Sequence, residues 1–128
     1  MSVANQQSHK LGKSSRLKTP NDYRRVYQSK QYGGSQYHSF NTLVAEHSAL
    51  GVTVAKKVSK SAVQRNGIRR QIKEFYRLRQ NDLIPGVQLV ITAKAGCAQA
   101  SKQQRLDSLE QLWQKILRWQ RWHQRQQP

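Results

Sequence analysis

The sequence predicts an α+β fold: a single-domain α-β sandwich in the order αββαβα, with one mixed sheet and a βαβ crossover. Three observations carry this reading. Helix starts with capping chemistry stand at Thr19, Ser61 and Ser101. Period-two runs lie between residues 38 and 58, and a near-continuous apolar run covers 87–92. The length of 128 residues suits one domain with one modest core.

Residues 1–13 are polar and without periodicity, and are expected to form a flexible tail ahead of a folded domain over 14–118. Thr19 caps the first helix, Pro20 suits its first position, and Asp22 favours the positive end of the helix dipole. Tyr23, Val26 and Tyr27 then share one face. Gly33-Gly34 reads as a turn beyond the helix. Phe40, Thr42 and Val44 alternate with Asn41, Leu43 and Ala45. After a break near 46–49, Leu50, Val52 and Val54 alternate with Gly51, Thr53 and Ala55. Two such runs with a short connection suggest a hairpin.

Ser61 and Gln64 have capping-box spacing, and a helix of about 18 residues is expected to follow, ending near Asn81. Pro85-Gly86 is a turn, and the apolar run at 87–92 reads as a strand buried on both faces. It is joined through a helix to the strand near 50–58, so the two are expected to be parallel, and general rules make such a crossover right-handed. Ser101 and Gln104 open the last helix, with Leu106, Leu109, Trp113, Ile116 and Leu117 as its apolar stripe. The final segment, 119–128, reads as a basic extension that frays.

Lys and Arg total 23 against six acids, a formal charge of +17. Such an excess repels itself on compaction, so a polyanionic partner is expected, nucleic acid before a membrane surface. No stretch approaches the roughly 20 apolar residues of a spanning helix. The single cysteine, Cys97, fits a reducing cytosolic compartment and a small core or loop position. No Cys or His pair has zinc-ligand spacing, and no acid pair or Ser/His/Asp set forms a catalytic constellation.

The charge is concentrated. The segment AKKVSKSAVQRNGIRRQIKEFYR, residues 55–77, holds eight of the 23 cations. On a helical wheel, Ile68, Ile72, Phe75 and Tyr76 gather in one apolar sector. Asn66, Arg70, Lys73 and Arg77 gather opposite them; Arg69 lies between the sectors, and Arg65 sits beside the apolar stripe. Only Glu74 offers a local counter-charge, whereas an ordinary solvated face mixes both signs. A row of guanidinium groups suits phosphates, because each presents a planar fork to an oxygen pair. Lys56, Lys57 and Lys60 extend the charge into the preceding strand and turn. Tyr23 and Tyr27 fit either core packing or a stacking surface for unpaired bases.

These residues resemble the protein subunit of bacterial ribonuclease P. The likeness rests on Ala55-Lys56-Lys57-Val58, then Ala62-Val63-Gln64-Arg65-Asn66-Gly67-Ile68-Arg69-Arg70, then Lys73-Glu74-Phe75-Tyr76-Arg77, with Leu17-Lys18, Asp22-Tyr23 and Val26-Tyr27 in the expected earlier positions. It covers about residues 15–118. The resemblance implies a ribonucleoprotein whose RNA is catalytic, removing the 5′ leader of precursor tRNA with Mg²⁺ held through the RNA, in the cytoplasm and with no obligate protein partner. It implies RNA binding by Arg65, Asn66, Arg69 and Arg70, which Lys73 and Arg77 extend. It also implies a leader cleft lined by Tyr23, Tyr27, Lys56 and Lys57, with Lys60 beside them, and a left-handed crossover in place of the right-handed one. Gly67 stands where the motif's second Arg is expected, and both cleft aromatics are Tyr where Phe is common. A structural RNA-binding protein, such as a ribosomal component, and a DNA-binding protein are the alternatives that charge alone leaves open.

Overall fold

The computed structural model describes residues 16–127; the tail expected over 1–13 lies outside them. The element order is α1 (Pro20–Gln28), β1 (Tyr32–Gly34), β2 (His38–Val44), β3 (Ala49–Thr53), α2 (Ala62–Arg79), β4 (Val87–Ala93) and α3 (Lys102–Arg125), with a 3-10 turn at Gln80–Asp82 and another at Ala95–Ala98. The four strands form one mixed sheet in the order β1-β2-β4-β3. β4 pairs antiparallel with β2 and parallel with β3, so the expected parallel βαβ unit is present as β3-α2-β4.

Two expectations about the strands are corrected. The runs at β2 and β3 do not form a hairpin, because β4 is inserted between them. The connection after β2 bends under the start of β4: Ala45 N–H donates to Gly86 O at 2.7 Å, and Gly86 N–H donates to Ser48 Oγ at 2.9 Å. Gly86 has φ +93°, and a Cβ there would stand 2.2 Å from Ala45 O, so only glycine fits this crossing. Gly33-Gly34 is not a turn but part of β1, paired with Ser39 and Phe40. The Phe40 ring lies where a Gly33 side chain would be, 2.8 Å from an ideal Cβ, which accounts for glycine in this strand.

The sheet separates two apolar layers. Leu89 and Ile91 of β4 join Ile68, Ile72 and Phe75 of α2 and Leu109, Leu112, Trp113 and Ile116 of α3 in the main core. Val90, on the opposite face of the same strand, joins Leu17, Ala49 and Val26 of α1. Both faces of β4 are therefore covered, as its apolar run predicts.

Thr19 caps α1 in a full capping box with Asp22, and Ser101 does the same for α3 with Gln104. At Ser61 only half of the box forms: Ser61 Oγ accepts from Gln64 N–H, but the Gln64 side chain goes to Ser59 Oγ and Ala98 O. The C-terminal segment does not fray at 119, since α3 continues to Arg125. Gln120 anchors it: its amide donates to Asp82 O at 3.1 Å and its carbonyl accepts from Ile84 N–H at 2.7 Å.

His38 is fully buried. Its Nδ1 lies 2.9 Å from Ser108 Oγ and its Nε2 3.8 Å from Cys97 Sγ. Burial, reinforced by Arg105 and Lys94, pushes its pKa down to about 4, and burial pushes the Cys97 thiol up. This Ser-His pair is sealed from solvent and ties β2 to α3.

Candidate nucleic-acid interface

α2 presents its cations because its apolar face is fixed elsewhere. Ile68, Ile72, Phe75 and Tyr76 are buried against the sheet and α3. The registry is further held by Arg79, which bonds Glu110 at 2.7 Å and lies 3.9 Å over the Phe75 ring, and by Gln71, which bridges Lys102 O and Arg105. The opposite face is then turned outward.

Two adjoining hollows hold Arg69, Arg70, Lys73 and Arg77 of the predicted cations. Asn66, Arg69, Arg70, Lys73, Glu74 and Arg77 line an open groove of about 430 Å³ along α2. Arg16, Leu17, Tyr23, Leu50, Val52, Arg69 and Lys73 line a smaller one of about 180 Å³ between α1, β3 and α2. Arg69 and Lys73 belong to both, so the helix face and the Tyr23 cleft form one continuous surface.

The cations are not equivalent. Arg70 and Lys73 are exposed and have no hydrogen-bond or ion-pair partner among the described residues. Arg69 is preorganised, donating to Asn66 Oδ1 at 3.0 Å and to Val54 O at 3.3 Å. Arg77 is engaged by Glu74 at 2.5 and 3.0 Å, and this bond holds the Glu74 carboxyl below its usual range. Arg65 is half-buried and donates to Ser59 O at 2.8 Å, so it fastens the turn before α2. Lys56, Lys57 and Lys60 are exposed on that turn, and neither they nor Tyr27 nor Arg65 line the two hollows.

Tyr23 and Tyr27 differ. Val26 between them is fully buried, Tyr23 is half-buried, and Tyr27 is 42% exposed. The Tyr23 ring lies on Gly51 of β3: a Cβ there would stand 2.6 Å from its Cε2. Burial raises the Tyr23 hydroxyl above its ordinary titration range, so the ring is uncharged at neutral pH. The result is a flat ring with Arg69 and Lys73 beside it, a combination whose chemistry suits a base on the ring and a phosphate on the cations.

Arg16 is a member of this cleft that sequence reading missed. It bridges to Leu50 beside β3, and Leu17 N–H donates to Leu50 O at 3.0 Å. The sequence before Thr19 carries no strand periodicity, so nothing local signals this placement.

The profile of the ribonuclease P family matches residues 11–117. The ribonuclease P protein component of Idiomarina loihiensis is 38% identical over 110 residues, covering 82% of this chain and 86% of that protein. That of Erwinia tasmaniensis is 39% identical over 105 residues, covering 80% and 87%. Among solved structures, the Staphylococcus aureus RNase P protein superposes with a TM-score of 0.74 at 24% identity, covering 81% of this chain and 96% of that one. The Thermotoga maritima RNase P protein superposes at 0.61 with 20% identity, covering 76% and 93%.

Proposed function

This chain belongs to the ribonuclease P protein family, and from that premise we propose that it binds the catalytic RNA of ribonuclease P and the 5′ leader of precursor tRNA, assisting removal of the leader. The observation that carries this reading is the continuous surface on which the half-buried Tyr23 ring meets Arg69, Lys73 and Arg16. Arg70 and Lys73 offer unpartnered cations to phosphate, and Arg69, held by Asn66 and Val54 O, offers a positioned one. Lys56, Lys57 and Lys60 add charge at the mouth of the turn, and Tyr27 adds an exposed ring. Arg65 and Arg77, already bonded within the protein, bind RNA only with their remaining donors.

In this reading the catalysis belongs to the RNA, with Mg²⁺ held there. The protein supplies positive charge that offsets phosphate repulsion, and the work is done in the cytoplasm. No helix among the described residues is long and apolar enough to cross a membrane. Family membership does not favour the ribosomal-component or DNA-binding alternatives.

The test is reconstitution. The purified chain alone should leave precursor tRNA intact. Added to its RNA, it should raise cleavage most at low Mg²⁺, where phosphate repulsion is least screened. Site-specific cleavage by RNA-free protein would refute the reading.

Gly67 supplies a second test. An ideal Cβ at Gly67 meets nothing within 4 Å, so no internal packing requires glycine there. Gly67→Ala should therefore stabilise the fold by about 0.5–1 kcal/mol, through lower unfolded-state entropy. Gly67→Arg restores the cation that the family motif places here, and RNA affinity should hold or tighten. A marked loss of RNA affinity in a folded Gly67→Arg variant would instead mean that RNA backbone approaches this turn closely.

A further inference from the structure

At the opposite edge of the sheet from the Tyr23 cleft, the structure builds a second aromatic and cationic surface. Tyr32, Gly33, Phe40, Lys115, Arg118, Trp119 and Trp122 line an open depression of about 300 Å³ where the C-terminal half of α3 crosses the edge strand β1. Tyr32 is 73% and Trp122 47% exposed, the two most exposed aromatic side chains among the described residues. Trp119 forms a fixed wall between them. Its Nε1 donates to Gln31 Oε1, and its ring stacks on His123 with centroids 5.4 Å apart. Lys115 Nζ donates to Gly34 O, pinning β1 to the helix. Arg118 and Arg121 have no partner among the described residues, and no acid follows Glu110 in the sequence.

Elementary packing does not ask for this arrangement. Two large rings are left in water beside cations that nothing neutralises, at a sheet edge whose glycines keep the backbone low. Rings with a free face next to unpaired guanidinium groups match the chemistry of unpaired nucleic acid, which offers bases to stack and phosphates to neutralise. An acidic peptide would satisfy the cations but would leave both ring faces without a specific use.

We propose that α3 and β1 form a second RNA-binding surface, which takes an unpaired segment of the partner RNA by stacking on Trp122 and Tyr32, with Arg118 on its phosphates. It rests on the RNA-binding reading above but not on the leader cleft. β1 and β3 are opposite edges of the sheet, three strand spacings or roughly 14 Å apart, so this surface is distinct from the leader cleft, and the occupant proposed for it is the catalytic RNA.

The test measures affinity of the full chain for the catalytic RNA with no precursor present, across a salt series. Trp122→Ala should weaken binding at least about fivefold with an unchanged salt slope, because it removes stacking and no charge. Trp122→Phe should restore most of the loss. Arg118→Ala should lower the slope by about one. Both side chains are exposed, so the variants should unfold at the wild-type denaturant midpoint. Wild-type affinity for Trp122→Ala would overturn the proposal, as would a Trp122→Ala variant that only dissolves a dimer of the free protein. The Tyr23→Ala variant separates the two readings: loss of leader discrimination there, with no effect of Trp122→Ala, would leave the cleft standing and remove this surface.

Discussion

Trp113→Ala is expected to lower folding stability by about 3–5 kcal/mol, the usual range for truncating a buried large aromatic. Trp113 is 2% exposed and makes edge-to-face contacts with Phe75 at 5.8 Å and Tyr76 at 6.3 Å. Its Nε1 donates to Asp82 Oδ2 at 3.0 Å. Asp82 is exposed, so water replaces that donor, and the deficit comes mainly from the void and the lost ring contacts. Against a typical total of about 5–15 kcal/mol, this leaves the fold marginal. In urea the midpoint should fall with little change in slope. Leu78→Ala, on α2 and 50% exposed, should cost under about 1 kcal/mol and serves as the control. A loss below about 1 kcal/mol for Trp113→Ala would mean that α3 does not hold the apolar face of α2 as described. The functional consequence follows by linkage: RNA that binds only the folded chain should restore the variant's fold at saturation, with a weaker apparent affinity.

The features legible in the sequence were those set by neighbouring residues. Thr19, Ser61 and Ser101 marked all three helix starts, because capping is decided within a single turn. The wheel placed Arg70 and Lys73 outward for the same reason, since 3.6 residues per turn fixes the angle once Ile68 and Ile72 are buried. What failed depended on distant partners. Alternation in β2 and β3 gave their faces but not their neighbours, and β4 took the place between them. Gly33-Gly34 has the local chemistry of a turn, but it pairs with Ser39 and Phe40 of β2, and the Phe40 ring fills the place of a Gly33 side chain. The wheel also gave no sign that Arg65 donates to Ser59 O in the turn before α2, because it shows no carbonyl outside the helix. Arg16 entered the cleft only through a bridge to Leu50, 34 positions away in sequence. The end of α3 seemed too polar to hold, but Gln120 is buried and satisfied at both ends of its amide.

The Tyr23→Ala, Tyr27→Ala double variant is expected to weaken binding of precursor tRNA to the assembled enzyme by roughly 1–3 kcal/mol per stacked base, and to leave mature tRNA nearly unaffected. The two rings contribute differently. Tyr27 is exposed, so its removal should change affinity with little change in stability. Tyr23 rests on Gly51 and packs beside Val26 and Leu17, so its removal also loosens α1. The comparison between the two ligands cancels that second effect, because both meet the same destabilised protein. Tyr23→Phe should retain leader binding, since it keeps the ring face and loses only the hydroxyl. Equal losses for precursor and mature tRNA would assign both rings to the core, leaving the cations of α2 to hold RNA without reading the leader. A loss confined to the precursor would assign leader binding to these rings, with Tyr23 presented from α1 where it lies against Gly51 of β3, a position at which a Cβ would displace it.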